Sequence, residues 1–215
     1  MDQNNSIEDY HPDKHKNVVL SEEDIDKYAQ KVSENLYQII DTERRQVAVY
    51  VNQRLTLMHW RTGKFLRESL DKQWADKYGQ KIVATVSRLL TLRYGRGYTA
   101  KSLWKMMQVA AAYPDEQIVV TLSRQLTWSH FLELQSIDNP TKRLYYQQMA
   151  ILHHWSVRDM RKREDDEMEY ERMLIAAKPE EEQVERLQQV TLSPESIDPD
   201  LVFKSSYVGD FLGLQ

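Results

Sequence analysis

The chain has 215 residues, 41% of them hydrophobic, and a formal net charge of −4, which is enough apolar material for one substantial core or two small ones. No apolar run approaches the roughly 18 residues of a membrane span, and the first twenty residues have neither the basic nor the apolar region of a secretory signal. These features exclude a membrane partner and lead us to expect a soluble, cytoplasmic protein. The absence of cysteine excludes disulfides, thiolate nucleophiles and Cys-ligated zinc.

Charge is segregated along the chain. Residues 1–41 hold 4 Lys and Arg against 10 Asp and Glu, residues 42–163 hold 21 against 9, and residues 164–215 hold 4 against 14. The balances are −6, +12 and −10. A basic body between acidic arms is the electrostatic footprint of a polyanion binder, unless the arms fold back and neutralise it.

In chain order, residues 1–20 read as a flexible amino terminus. Ser21 followed by Asp24 forms a capping box that opens a helix expected to end near Asp41. A second amphipathic helix follows, with Val47, Val51, Leu55, Met58 and Phe65 on its apolar stripe and Arg44, Gln53 and Arg61 on other faces. The glycines of "GRGY" at 95–98 make a turn between two periodic runs, Ile82, Val86, Leu89 and Leu90 before it and Leu103, Met106, Met107 and Ala110 after it. Thr99 then caps the next helix. Pro114 and Asp115 break the pattern, and "QIVVTL" reads as the start of a helix or as an edge strand. Asn139 with Pro140 marks another helix start, with an end expected near Trp155 and a restart or a continuation of the helix at Ser156 and Asp159. Beyond Pro179 the Glu-rich, Pro-punctuated stretch reads as a weakly structured linker.

Between these lies "LSRQLTWSHFLELQSI", residues 122–137. Two short helices meet at Thr127, whose hydroxyl is expected to cap the second and to present Ser129 and His130 on its first turn. A helix start gathers free N–H groups and positive dipole, which suits a phosphate, and helix-turn-helix modules offer the start of their second helix to DNA. The alternative is a structural corner with Trp128 packed inside. "RDMRKR" is the densest basic cluster, although helical pairs such as Arg161 with Asp165 would quench it. The nucleic-acid-binding candidates are therefore Arg93, Arg96, Lys101, Lys105, Arg124, Ser129, His130, Arg158, Arg161, Lys162 and Arg163.

No catalytic or metal constellation emerges, and no cofactor is expected. His153 and His154 are adjacent and point about 100° apart on a helix, and no second ligand pair accompanies them. "GRG" lacks the Lys-Ser/Thr of a P-loop. "PDEQ" at Pro114 opens with the first two letters of a nuclease motif, but no Asp/Glu-x-Lys follows at a workable distance.

The succession "VNQRLTLMHWRTGKFL", "YGQKIVATVSRLLTLRYGRGYTAKSLWKMMQVAAAYP", "LSRQLTWSHFLELQSI" and "KRLYYQQMAILHHWSVRDMRKR" resembles the amino-terminal domain of the YhcG family, over roughly residues 35–175. The closing "YVGDFLGL" resembles the linker that in this family leads into a carboxy-terminal nuclease domain of the PD-(D/E)XK type. The resemblance implies a helical, helix-turn-helix-like DNA-binding or protein-interaction module attached to a nuclease, and it implies no catalytic residue in this chain. The expected fold is mainly α, a helical bundle over 21–175 with a helix-turn-helix-like portion, extended termini and an acidic linker over 176–215. The expected function is a non-catalytic DNA-targeting module, and the alternative is a protein-interaction or self-association module, for instance a homodimer.

Overall fold

The computed structural model describes residues 21–70, 72–164 and 170, with only the backbone described for 72–77. Every described element is helical, and there is no strand among the described residues: α1 (Glu22–Ser69), α2 (Lys72–Tyr94), a short 3-10 turn (Arg96–Tyr98), α3 (Ala100–Ala112), α4 (Glu116–Leu122), α5 (Trp128–Leu134), α6 (Pro140–Leu152) and α7 (Val157–Glu164). No described helix is long and apolar enough to cross a membrane. The linker expected over 176–215 and the amino terminus expected over 1–20 lie outside the described residues.

The chain divides after Thr42 into two units. In the first, the expected capping box forms. The Ser21 hydroxyl donates to Asp24 Oδ2 at 2.6 Å and accepts from the Asp24 N–H at 3.1 Å. The helix expected to end near Asp41 does not end there. α1 is continuous to Ser69 because "DTERR" contains no Gly or Pro, and the Thr42 hydroxyl bonds back to the Gln38 carbonyl at 2.7 Å within the helix.

In the second unit, the core is a layer of α1 side chains set against α3, α5 and α6, with Trp60, Leu103, Phe131 and Tyr146 all but fully buried. The stripe on α1 is rotated from the expected one. Leu55 is buried and Val51 and Met58 half-buried, but Val47 and Phe65 are exposed, and Ala48, Asn52, Thr56, Trp60 and Gly63 face inward instead. Gly63 permits the close crossing of α1 and α3. A Cβ there would lie far inside contact with the Met106 carbonyl and 2.7 Å from the Met107 nitrogen.

Buried polar groups fasten α1 to its neighbours. Trp60 Nε1 donates to the Tyr113 carbonyl at 2.7 Å. Asn52, 2% exposed, donates from Nδ2 to the carbonyls of Ser123 and Leu126 at 2.6 and 2.9 Å. The Ser123 carbonyl is at the C-cap of α4, which a helix terminus leaves open, and that of Leu126 lies in the turn before α5, so Asn52 fastens both sides of the α4–α5 corner.

Local signals set the other boundaries. Thr99 accepts from the Ser102 N–H at 3.2 Å. Asp115 accepts from the Gln117 N–H at 2.8 Å, making "QIVVTL" part of a helix and not an edge strand. Asn139 accepts from the N–H groups of Thr141 and Lys142, with Pro140 opening α6. α6 stops at Leu152, three residues before the expected Trp155, because His154 turns left-handed at φ 50°. The His154 N–H donates to Ile151 O at 3.4 Å and the Trp155 N–H to Ala150 O at 3.0 Å, the pattern of a Schellman cap. Ser156 and Asp159 then box the start of α7, as expected.

Candidate nucleic-acid interface

The residues expected to contact nucleic acid fall into three places. Arg93, Arg96, Lys101 and Lys105 come together where α2, the 3-10 turn and α3 pack against one another, and all are exposed except the half-buried Lys105. Gly95 makes the turn at φ 91°, a left-handed value that a side chain would strain. Aromatic rings stand among these cations. The Arg93 guanidinium lies 5.2 Å from the centre of the Tyr94 ring, and Tyr94 and Tyr98 are 5.8 Å apart. Lys101, Trp104 and Lys105 share one face of α3 by their three- and four-residue spacing, and Trp104 and Tyr94 are both exposed. Cations beside uncovered rings can neutralise phosphate and stack on a base.

The second place is α7, with Arg158, Arg161, Lys162 and Arg163 all exposed. Its buried Met160 anchors it. Arg161 forms an ion pair with Glu133 of α5, and its expected i to i+4 partner Asp165 lies outside the described residues. Arg163 stands over the Trp155 ring at 4.6 Å. The Asp159 carboxyl is held below the usual range by hydrogen bonds from the Ser156 hydroxyl and N–H, with smaller help from Arg163 and Arg158.

The third place is the α4–α5 corner. Arg124 is exposed and Ser129 half-buried, but His130 is not presented on the first turn as expected, being only 4% exposed. Its ring closes the start of α5 from within. The Thr127 N–H donates to His130 Nδ1 at 3.1 Å, and Nε2 lies 2.9 Å from the Trp155 carbonyl. A carbonyl only accepts, so Nε2 carries the proton, Nδ1 accepts, and the ring is neutral. Burial pushes the His130 pKa down, against smaller upward pulls from the Trp155 carbonyl and Glu133. Thr127 and His130 thus form a capping box in which the histidine takes the part usual for Glu. Trp128 is buried, its ring 4.7 Å from that of His59. The corner therefore has the packed interior of the structural alternative, and Arg124 is its exposed cation.

Sequence reasoning missed Asn52 and His59, which hold this corner from α1. The available signal was a pair of polar residues within an otherwise apolar helical face. His59 is buried, and that burial lowers its pKa to about 4.

Among the described residues, no group of three or more His, Asp or Glu could hold a metal ion. The two carboxylates of "PDEQ" have structural partners, Asp115 as the cap of α4 and Glu116 in an ion pair with Arg61. His153 is stacked beside Trp155 with ring centres 5.9 Å apart, and His154 is the left-handed residue of the α6 cap.

Comparison with known proteins bears on this arrangement. The family model described as DUF1016 N-terminal domain matches residues 35–172. The Escherichia coli (strain K12) protein named "Putative nuclease YhcG" is 24% identical over 216 residues, an alignment covering 86% of this chain and 56% of that protein. The chain thus spans little more than half the length of that relative. No solved structure matches.

Proposed function

Because the chain belongs to the DUF1016 N-terminal domain family, we propose that its basic body, residues 42–163, is a non-catalytic module that binds DNA and delivers an attached nuclease activity to it. The observation that carries this reading is the charge of residues 42–163. With 21 Lys and Arg against 9 Asp and Glu, one-to-one pairing leaves at least 12 positive charges uncompensated within the span. Such an excess supplies the sequence-independent attraction to phosphate that dominates most DNA affinity. The α2–α3 corner supports the reading further, since it sets Arg93, Arg96, Lys101 and Lys105 beside exposed aromatic rings. The name of the E. coli relative, "Putative nuclease YhcG", supports the link to nucleic-acid cleavage.

The test is fluorescence anisotropy with labelled duplex and single-stranded DNA at low salt. Replacing Arg93, Arg96, Lys101 and Lys105 with Ala is expected to weaken binding to all sequences by at least tenfold, the mark of phosphate contacts. Unchanged affinity in that variant, with Arg158, Lys162 and Arg124 also replaced, would overturn the reading. A second reading, association with protein, is favoured by a separate observation in the first unit.

A further inference from the structure

No residue from 21 to 42 is buried in the structure, and only Ser33 is even half-covered. Yet this stretch is α-helical from Glu22 onward. Short helices in water are marginal, and most helical stability comes from packing an apolar face. The face is present. Ile25, Tyr28, Val32, Leu36, Ile39 and Ile40 are 38–65% exposed, and with Ala29 they occupy one side of the helix.

The spacing of Ile25, Ala29, Val32, Leu36 and Ile39 alternates four and three residues, which is the a/d seam of a helix pair. Ile25, Val32 and Ile39 occupy d positions, and Ala29 and Leu36 occupy a. The positions flanking the seam are Tyr28, Asn35 and Thr42 on one side and Asp26, Ser33 and Ile40 on the other. Only Asp26 among these is charged, and the remaining charges, such as Lys27, Lys31, Glu34 and Asp41, fall on the outer faces.

We propose that residues 25–40 form a self-association seam whose occupant is a second copy of this chain. Five of the six flanking positions are uncharged, so a second copy can approach the seam with little charge repulsion beside it. The area is adequate for a reversible dimer. Six such side chains, each about half uncovered, expose roughly 550 Å² per copy, so the pair covers about 1,100 Å², just under the ~1,200 Å² at which standard interfaces begin. Association is therefore concentration-dependent, in the micromolar range. The proposal does not rest on the DNA reading, and its test contains no nucleic acid.

The test is sedimentation of the full chain from about 1 to 200 µM. The expected result is a monomer that doubles in mass across this range, and a Val32→Glu/Leu36→Glu variant that stays monomeric while the thermal transition of the second unit is unchanged. A wild-type chain that is monomeric throughout, whether because the stripe is solvated or because another segment or a foreign protein covers it, overturns the proposal. So does a dimer that survives the double substitution.

Discussion

Gly63→Ala places one methyl group between α1 and the main chain of α3. Two effects of opposite sign compete. Alanine is the better helix former, by about 1 kcal/mol in a helix interior. Against this, the new Cβ would lie far inside contact with the Met106 carbonyl and 2.7 Å from the Met107 nitrogen, where ordinary contact begins near 3.4 Å. These neighbours are backbone atoms in the middle of α3 and have no rotamer by which to withdraw, so the helices must separate. That separation loosens the packing of Trp60, Leu103 and Met106, each at most 1% exposed. Overpacking a tight core costs about 1–3 kcal/mol, and the rigidity of the obstacle places this case at the upper end. The net expectation is a loss of about 2 kcal/mol, or about 4–8 °C in Tm for a domain of this size. Thermal and urea unfolding followed by circular dichroism measure it. A variant as stable as the wild type, or more stable by the helix-propensity gain, would refute the close crossing of α1 and α3 and the placement of the basic corner that depends on it.

Acid should destabilise the second unit through its buried histidines. A histidine whose folded pKa is depressed stays neutral while the unfolded chain takes up the proton, so stability is complete above about pH 6.5 and falls as pH drops toward the folded value. For His59, at about 4, the loss by pH 4 is about 3 kcal/mol, and His59→Phe should remove about one proton's worth of the slope measured by urea unfolding between pH 6.5 and 4.5. Asn52→Ala strips two carbonyls of the α4–α5 corner of their donor and should cost about 1–3 kcal/mol, read from the urea midpoint, with no loss if the two bonds are absent. His154→Gly relieves the left-handed residue of the α6 cap and should raise stability by about 0.5–1 kcal/mol, and a lower Tm would mean that the His154 ring contributes more than its backbone costs.

Features governed by neighbours in sequence were legible before the structure. Ser21 with Asp24, Thr99, Asn139 with Pro140, and Ser156 with Asp159 all cap the helices their spacing foretells, because a cap is decided within four residues. What depended on distant partners was not legible. The inward face of α1 includes Asn52, whose acceptors Ser123 and Leu126 lie more than seventy residues away, so a pattern of apolar residues alone set the stripe at the wrong rotation. His130 looked like a surface group at a helix start, and its burial follows from the Trp155 carbonyl, 25 residues on. The polar run at 41–45 resembled a gap between helices, because an exposed helical segment and a loop share the same composition when neither Gly nor Pro intervenes. At the candidate interface, the grouping of Arg93 to Lys105 follows from their closeness in sequence, whereas the ion pair of Arg161 with Glu133 required the packing of α7 on α5.

The central claim, that the basic body engages DNA through its phosphates, is tested most directly by the salt dependence of DNA affinity for the full chain. Each phosphate neutralised contributes about −0.9 to the slope of log K against log salt. The account predicts a steep slope, on the order of −4 or beyond, that shallows by about 1 for each of Arg93, Arg96, Lys101 and Lys105 removed. Affinity that is absent at low ionic strength, or that is indifferent to salt and to these four residues, would contradict it.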